Sequence, residues 1–249
     1  MSDYLGNQYC MQPTFLSAEW RNLIMANYEI APAELAAFIP QGTELDLWQG
    51  RCYISLVGFL FVNTKVLGLS IPFHRHFEEV NLRFYVRYKE EGAWKRGVVF
   101  IQEIVPKRAI TAVANTLYGE KYITMPMRHR WEEADGKLEV RYEWKPNGHW
   151  NHLSVVADAN PVAMEEGSEE QFIAEHYWGY TGLPGESTSE YQVEHPSWRI
   201  NPVLSYQINF DAEQLYGPGF SRAMAGKPTS VFLAEGSGIL VRRGRKLPV

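Results

Sequence analysis

The chain has 249 residues, a formal net charge of −5 and 45% hydrophobic residues. This composition excludes an intrinsically disordered chain, and the acidic charge excludes the basic surface that a nucleic-acid-binding domain needs. The longest apolar stretch, residues 54–62, is too short to span a bilayer, and the N-terminus shows no basic segment followed by an apolar run. We therefore expect a globular protein of the cytoplasm that contacts neither nucleic acid nor membrane.

Strand signals alternate with turn signals along the chain. Residues 1–13 are polar and irregular and are expected to form a loose arm, which leaves one domain over residues 14–249. Strands are predicted over residues 20–28, 51–62, 79–88, 97–105, 122–131, 137–144, 151–157, 176–180, 191–195 and 198–210, with short closing pieces at 231–234 and 239–241. Short helices are predicted over residues 32–38, 107–117 and 168–174. Because long helical crossovers are missing, the sheet should be largely antiparallel, closed as a barrel or folded as a sandwich.

The strand over residues 79–88 has two chemically different faces. Apolar side chains alternate with polar ones, so that Glu79, Asn81 and Arg83 stand on one side of the strand. On an open sheet this side would be the solvated face, whereas in a closed barrel it would line a cavity. The pattern by itself leaves both arrangements open.

The tripeptide Pro106–Lys107–Arg108 follows a buried strand and begins a helix. A lysine beside a permanent cation in a partly dry site loses its proton more readily, and its amine can then form a Schiff base. The alternative is a solvated basic pair at the start of a helix.

Other chemical motifs are missing from the sequence. There is no P-loop, no G-x-G-x-x-G and no G-x-S-x-G, so we expect no cofactor. The close histidine pairs within residues 74–76 and 149–152 lack a marked third ligand, and we expect no metal. Cys10 and Cys52 match no disulfide framework or metal spacing and should be free thiols in a reducing compartment.

Several of these residues resemble motifs of the acetoacetate decarboxylases. Arg21, Tyr28 and Pro40, spaced as R-x6-Y-x11-P, resemble the N-terminal segment of that family. Pro106–Lys107–Arg108 resembles the family's Pro-Lys-Lys, whose first Lys forms the Schiff base. Glu78–Glu79, before a strand, resembles the position of an active-site Glu.

A larger part of the chain resembles the YqjF-like family of conserved proteins of unknown function, which belongs to the same superfamily. The matching segments span residues 15–237 and are F-L-S-A-E-W-R, G-T-E-L-D-L-W-Q-G-R, S-L-V-G-F-L-F, I-P-F-H-R-H-F-E-E-V-N-L-R, P-M-R-H-R, E-H-Y-W-G-Y and V-F-L-A-E-G-S. The resemblance implies a mostly β fold with a few short helices, antiparallel-rich and built as a closed or cone-shaped double β-barrel around a central cavity.

The resemblance also implies roles for individual residues. Lys107 would be the nucleophile, with Arg108 as the neighbouring cation. Glu79, or Glu78, would transfer protons, and Arg21 would bind a substrate carboxylate in the same cavity. The sequence departs from the decarboxylases at the strand over residues 51–61, which carries Ser55 and no acid where the decarboxylases have a second carboxylate. In the YqjF-like group, moreover, the Lys position is often Arg, which cannot form a Schiff base.

Two functions follow from these observations. The first is a binding protein for a small anionic or aromatic metabolite, with Arg21, Asn81, Arg83 and Arg108 as binding residues; 14% of the residues are aromatic, which suits the wall of such a cavity. The alternative is a Schiff-base lyase that acts on a small oxo-acid through Lys107, of the decarboxylase or aldolase type. A homo-oligomer with a purely structural role has no positive feature in the sequence.

Overall fold

The fold is taken from a computed structural model that describes residues 12–248, without the side chains of residues 117 and 118. The predicted arm over residues 1–13 therefore lies outside the described residues except for its last two, and Cys10 lies outside them as well. Cys52 is a buried free thiol. No helix within residues 12–248 combines the length and the apolar character needed to cross a membrane.

The described residues form sixteen strands and five short α-helices, so the predicted fold class is confirmed. The strands are β1 Thr14–Glu29, β2 Glu44–Leu45, β3 Tyr53–Val66, β4 Phe77–Glu90, β5 Ala93–Val105, β6 Tyr122–Thr124, β7 Met127–Ala134, β8 Lys137–Trp144, β9 Asn151–Asp158, β10 Val162–Ala163, β11 Trp178–Leu183, β12 Ser187–Glu194, β13 Arg199–Asn201, β14 Val203–Asn209, β15 Ser230–Arg242 and β16 Arg245–Lys246. The helices are α1 Pro32–Leu35, continued by a 3₁₀ turn over Ala36–Phe38, then α2 Arg108–Tyr118, α3 Glu169–Ala174, α4 Ala212–Tyr216 and α5 Pro218–Met224.

Twelve of these strands form one sheet whose path returns on itself. Its order is β10-β13-β15-β1-β3-β4-β5-β11-β12-β16, with β2 beside β4 and β6 beside β5. In addition β12 pairs with β15, where Val193 lies opposite Val241, so seven strands from β15 through β1 to β12 are paired all the way round. We call this set the seven-stranded ring. The pairings of the sheet are antiparallel except β5–β11 and β5–β6, as the short connections predicted.

The remaining four strands form a second sheet, in the order β14-β9-β8-β7, that packs on the outside of the ring. The aromatic side chain of Tyr142 lies against Gly58 of β3. A Cβ atom at position 58 would lie 2.9 Å from that side chain. Tyr142, Trp144 and Leu153 share one core cluster with Leu56 on the outward face of β3, and a second cluster lies along the inner face of the ring. The ring thus has apolar contacts on both of its faces.

Several predicted elements have different bounds, for identifiable reasons. Pro126 separates β6 from β7, and Pro202 separates β13 from β14, because proline cannot donate a ladder hydrogen bond. The closing pieces at 231–234 and 239–241 are one strand, β15, in which Gly236 has a φ of +77°. The small elements β2, β10 and β16 and the helices α4 and α5 were not predicted.

Candidate functional site

The seven-stranded ring encloses a cavity of about 300 Å³. Its wall is mostly apolar and strongly aromatic. The aromatic side chains that line it include Trp20, Phe59, Phe61, Phe77, Phe100, Tyr122, Trp178, Tyr191 and Trp198. The volume and the lining are those of a pocket for a small organic molecule.

The polar face of β4 forms part of this wall. Glu79 and Asn81 are each 2% exposed and Arg83 is 9% exposed, and all three line the cavity. Because side chains alternate along a strand, the adjacent Glu78 points to the other face, where its carboxylate lies 2.7 Å from His129 Nδ1. Of the two adjacent glutamates, Glu79 is the one that faces the cavity.

Hydrogen bonds hold these side chains in place. Asn81 Nδ2 donates to Glu79 Oε1 at 2.9 Å, and the Tyr122 hydroxyl donates to Glu79 Oε2 at 3.1 Å. Arg83 Nη2 donates to the carbonyl of Ile173 at 3.3 Å, which ties β4 to α3. Among the described residues, Asn81 Oδ1 and Arg83 Nε have no hydrogen-bond partner although both atoms are buried.

Two further buried carboxyl groups join Glu79, and sequence reasoning missed both. Glu103 of β5 lies opposite Asn81 in the β4–β5 pairing and is 2% exposed. Glu120 follows α2, is 9% exposed and accepts a hydrogen bond from Thr181 Oγ1 at 3.0 Å. The sequence carried one signal for Glu103, which is the lone acid inside the apolar run of residues 98–105. Because an unpaired charge is rarely buried in a strand core, an acid at such a position indicates a functional group.

We call Glu79, Glu103 and Glu120 the carboxyl cluster. Burial raises the pKa of Glu79 and that of Glu120 to about 7. Burial and the charges of the other two carboxylates raise the pKa of Glu103 well above its usual value. The cluster therefore holds protons that exposed glutamates release well below neutral pH.

A histidine lines another part of the cavity. His176 Nε2 lies 3.1 Å from Asp46 Oδ2, and Arg96 Nε donates to the same carboxylate oxygen at 2.6 Å. Burial lowers the pKa of His176 to about 4, so the imidazole is neutral at pH 7. Its Nδ1 has no partner among the residues that the structure describes.

Three of the basic residues that were predicted for the site, Arg21, Lys107 and Arg108, do not line the cavity. Lys107 is half-buried at the start of α2 and is not among the residues that line the cavity; the helix turns Ala109, Ile110 and other apolar side chains towards it instead. Arg108 is exposed. The structure brings neither Lys107 nor Arg108 to Glu79 in the cavity wall.

The prediction that Arg21 reaches the cavity is wrong. The Arg21 side chain is 44% exposed, and its guanidinium lies 2.6 Å from the carboxylate of Glu19. Its neighbour Trp20 lines the cavity, and alternation along β1 turns Arg21 outward. Asn22, with a φ of 54°, then interrupts the strand, so that Leu23 lines the cavity again.

Comparison with known sequences gives two matches. A family model, DUF2071, described as an uncharacterized conserved protein, matches residues 17–238. The chain is also 26% identical over 192 residues to the uncharacterized protein YqjF of Bacillus subtilis (strain 168), and the match covers 76% of this chain and 77% of that protein.

Comparison with solved structures gives matches over nearly the whole chain. The acetoacetate decarboxylase of Legionella pneumophila has a TM-score of 0.62 at 14% identity, with 100% of this chain and 96% of that chain covered. An acetoacetate decarboxylase-like enzyme from Sphingomonas wittichii RW1 has a TM-score of 0.63 at 12% identity, with 100% and 99% covered. The enduracididine biosynthesis enzyme MppR, complexed with pyruvate, has a TM-score of 0.62 at 15% identity, with 98% and 94% covered. At these identities the likeness establishes a shared fold.

Proposed function

The chain belongs to the DUF2071 family and has an acetoacetate decarboxylase-like fold, and from this premise we propose that it binds a small, largely aromatic molecule inside the seven-stranded ring. The observation that carries the proposal is an aromatic-lined cavity of about 300 Å³ whose wall includes buried polar groups. Buried polar atoms are normally hydrogen-bonded. A buried polar atom that has no partner within the protein therefore favours a hydrogen bond to a bound ligand. Asn81 Oδ1, Arg83 Nε and His176 Nδ1 are such atoms on residues that line this cavity.

Of the two ligand classes that the sequence suggested, the aromatic one has more support. An anionic ligand was expected to contact Arg21, which lies outside the cavity. Among the described lining residues, Arg83 supplies one guanidinium against the three groups of the carboxyl cluster. Flat rings such as those of Trp20 and Phe59 favour stacking with an aromatic partner.

A ligand screen tests this proposal. We expect small aromatic compounds to raise the thermal unfolding midpoint and to change the tryptophan fluorescence, because a ligand that binds the native state stabilises it. Val57 lines the cavity on β3 and is the cross-strand neighbour of Asn81. The Val57→Phe variant, which adds an aromatic ring to the cavity wall there, should abolish both effects. The matched control is Val162→Phe, at an exposed position of β10, which should leave them unchanged. Binding that persists in Val57→Phe would contradict the proposed site.

A Schiff-base lyase acting through Lys107 has less support, because Lys107 does not line the cavity. Pyruvate, with which MppR of the same fold is complexed, is a suitable oxo-acid probe. After incubation with pyruvate and borohydride, we expect intact-mass analysis to show no adduct. An adduct that forms on the wild-type protein and disappears in Lys107→Arg, which cannot form an imine, would show that Lys107 is a Schiff-base nucleophile and would favour the lyase over simple binding.

A further inference from the structure

The carboxyl cluster places three acidic groups in a cavity wall whose described lining residues include one guanidinium, that of Arg83. Resting on the proposed binding of a small aromatic molecule, we propose that this molecule is an organic cation, with an ammonium group held by the carboxylates of Glu79 and Glu103 and the amide oxygen of Asn81. The inference follows from the positions of these groups, from the charge balance of the wall and from the acceptors that lack a donor.

The acceptors meet at one place in the ring. Asn81 is paired with Glu103 across β4 and β5, and Glu79 stands two residues along the same face of β4. Tyr122 of β6 pairs with Glu103 and donates its hydroxyl proton to Glu79. The charge of Glu120 acts on both Glu79 and Glu103. Glu79, Asn81 and Glu103 therefore stand side by side in the cavity wall, and Glu120 lines the same cavity.

Fewer cationic groups than acidic groups line the described part of the cavity. Arg83 is the one guanidinium among the described lining residues, and one of its amino groups already donates to Ile173. The charge of Lys121 acts on Glu120, but Lys121 itself is exposed and does not line the cavity. Burial lowers the pKa of His176, which keeps this lining imidazole uncharged at neutral pH. An anionic ligand would meet this excess of carboxyl groups, whereas an ammonium group would neutralise it.

Unpaired acceptors provide the independent observation. Asn81 Oδ1 and Glu103 Oε2 are buried, and neither has a donor among the described residues. An ammonium group carries three donors and no acceptor, which suits such a pair. Within the part of the chain that the structure describes, no group of three His, Cys, Asp or Glu side chains is arranged to hold a metal ion. Phe59, the cross-strand neighbour of Glu79, adds the aromatic face that organic cations favour.

Binding of a cation should release protons from the cluster. A nearby positive charge favours the ionised carboxyl form and so lowers the pKa of Glu79 and of Glu120, which stands at about 7 for each in the free protein. At neutral pH part of the cluster is protonated before the cation binds and ionised afterwards. The affinity for an amine should therefore rise as the pH rises through 7, as long as the amine itself stays protonated.

Three compounds with the same ring test the charge: benzylamine, benzyl alcohol and benzoate. By titration calorimetry at pH 7, we expect benzylamine to bind at least about tenfold more tightly than the other two, a gap expected of a charge-assisted contact. Titrations in two buffers of different ionisation enthalpy should show proton release with benzylamine. Tighter binding of benzyl alcohol or benzoate would overturn the cation inference and leave the proposed binding function standing. Failure of all three, together with failure of the aromatic screen, would overturn the binding function itself.

A pair of variants tests the residues. Glu103→Gln keeps the shape of a protonated carboxyl group but cannot ionise, so it should weaken benzylamine binding about tenfold and leave benzyl alcohol binding unchanged. Glu78→Gln is the matched control, because Glu78 lies on the opposite face of β4 beside His129. Thermal midpoints check that both variants are folded. Equal loss of benzylamine binding in both variants, or no loss in either, would contradict the assignment of Glu103 to the ammonium site. If Glu103→Gln does not fold, the three-compound series on the wild-type protein still decides which ligand charge the cavity prefers.

Discussion

At the scale of single residues, neighbours on one strand have opposite acid–base behaviour. Glu79 faces the cavity, and burial raises its pKa to about 7. Burial would raise the pKa of Glu78 as well, but the hydrogen bond with His129 and the positive charges of His129 and Lys107 bring it below its usual value. The direction of the side chain thus decides which glutamate holds a proton at neutral pH.

These opposite shifts predict opposite pH dependences for two conservative variants. The folded-state pKa of Glu79 lies above the ordinary 4.5, so its contribution to stability is complete below pH 4.5 and is lost as the pH rises through about 7. Glu79→Gln should therefore gain stability relative to the wild type over that interval, by roughly 2–3 kcal/mol. Glu78→Gln should instead be less stable than the wild type above pH 4.5, and this deficit should shrink as the pH falls below it.

Urea unfolding of the three proteins between about pH 3 and about pH 8 measures both trends. The comparison with the wild type cancels the contribution of His176, whose lowered pKa acts in the opposite direction between pH 4 and pH 6.5. A difference between Glu79→Gln and the wild type that does not vary with pH would show that folding leaves the pKa of Glu79 unchanged, and would contradict this prediction.

At the scale of elements, the pairing of β1 with β15 determines which side chains of β1 enter the cavity. Gly236 pairs with Arg21 and has a φ of +77°, and Asn22 of the facing strand has a φ of 54°. A Cβ atom at Gly236 would lie 2.0 Å from the carbonyl oxygen of Trp20. This irregularity lets Trp20 and Leu23 both line the cavity, although regular alternation would place them on opposite faces.

Gly236→Ala should therefore destabilise the protein strongly. The new methyl group would collide with the backbone of β1 and would also require a left-handed φ, so we expect a loss of about 3 kcal/mol or more, or no soluble folded protein. Gly238→Ala is the matched control in the same strand, because nothing lies within 4 Å of a Cβ atom there. Its unfolding midpoint in urea should stay close to that of the wild type, and similar losses in both variants would contradict this explanation.

At the scale of the whole molecule, the two sheets share one of the two core clusters. Tyr142 and Leu153 of the outer sheet pack with Leu56 of the ring, and the Tyr142 hydroxyl donates to the carbonyl of Asn22 at 2.9 Å. The interior of the ring forms the other cluster. Because the ring wall belongs to both, loss of the outer sheet would expose apolar side chains of the ring to water.

We therefore expect the sheets to unfold together, as the predicted single domain over residues 14–249 requires. Leu153→Ala, in the outer sheet, should lower stability by about 2–5 kcal/mol and shift one common transition. Far-ultraviolet circular dichroism and tryptophan fluorescence should report the same midpoint in urea, since Trp144 lies in the outer sheet and Trp20 lines the ring. Two separate transitions would show that the sheets are independent units.

The local pattern of the sequence determined the elements and their faces. Alternation separated Glu79, Asn81 and Arg83 from the apolar side of β4. Asp135 and Gly136, a pair typical of two-residue hairpin turns, both have positive φ between β7 and β8. Ser168 was predicted to begin a helix, and its hydroxyl accepts a hydrogen bond from the backbone of Gln171 at 3.1 Å. Each of these features depends on residues that are close together in the chain.

Only the tertiary structure decided which polar face is buried and which groups meet there. A strand has the same period on an open sheet as in a closed ring, so the pairing of β12 with β15 was needed to place Glu79 in a cavity. Glu103 and Glu120 come from β5 and the segment after α2, and no local pattern links them to Glu79. Regular alternation back from Leu23 would turn Arg21 into the cavity, and the irregularity between them, which Gly236 allows from far along the chain, leaves Arg21 outside. Contacts between residues that are distant in sequence built the cavity, and local periodicity cannot encode such contacts.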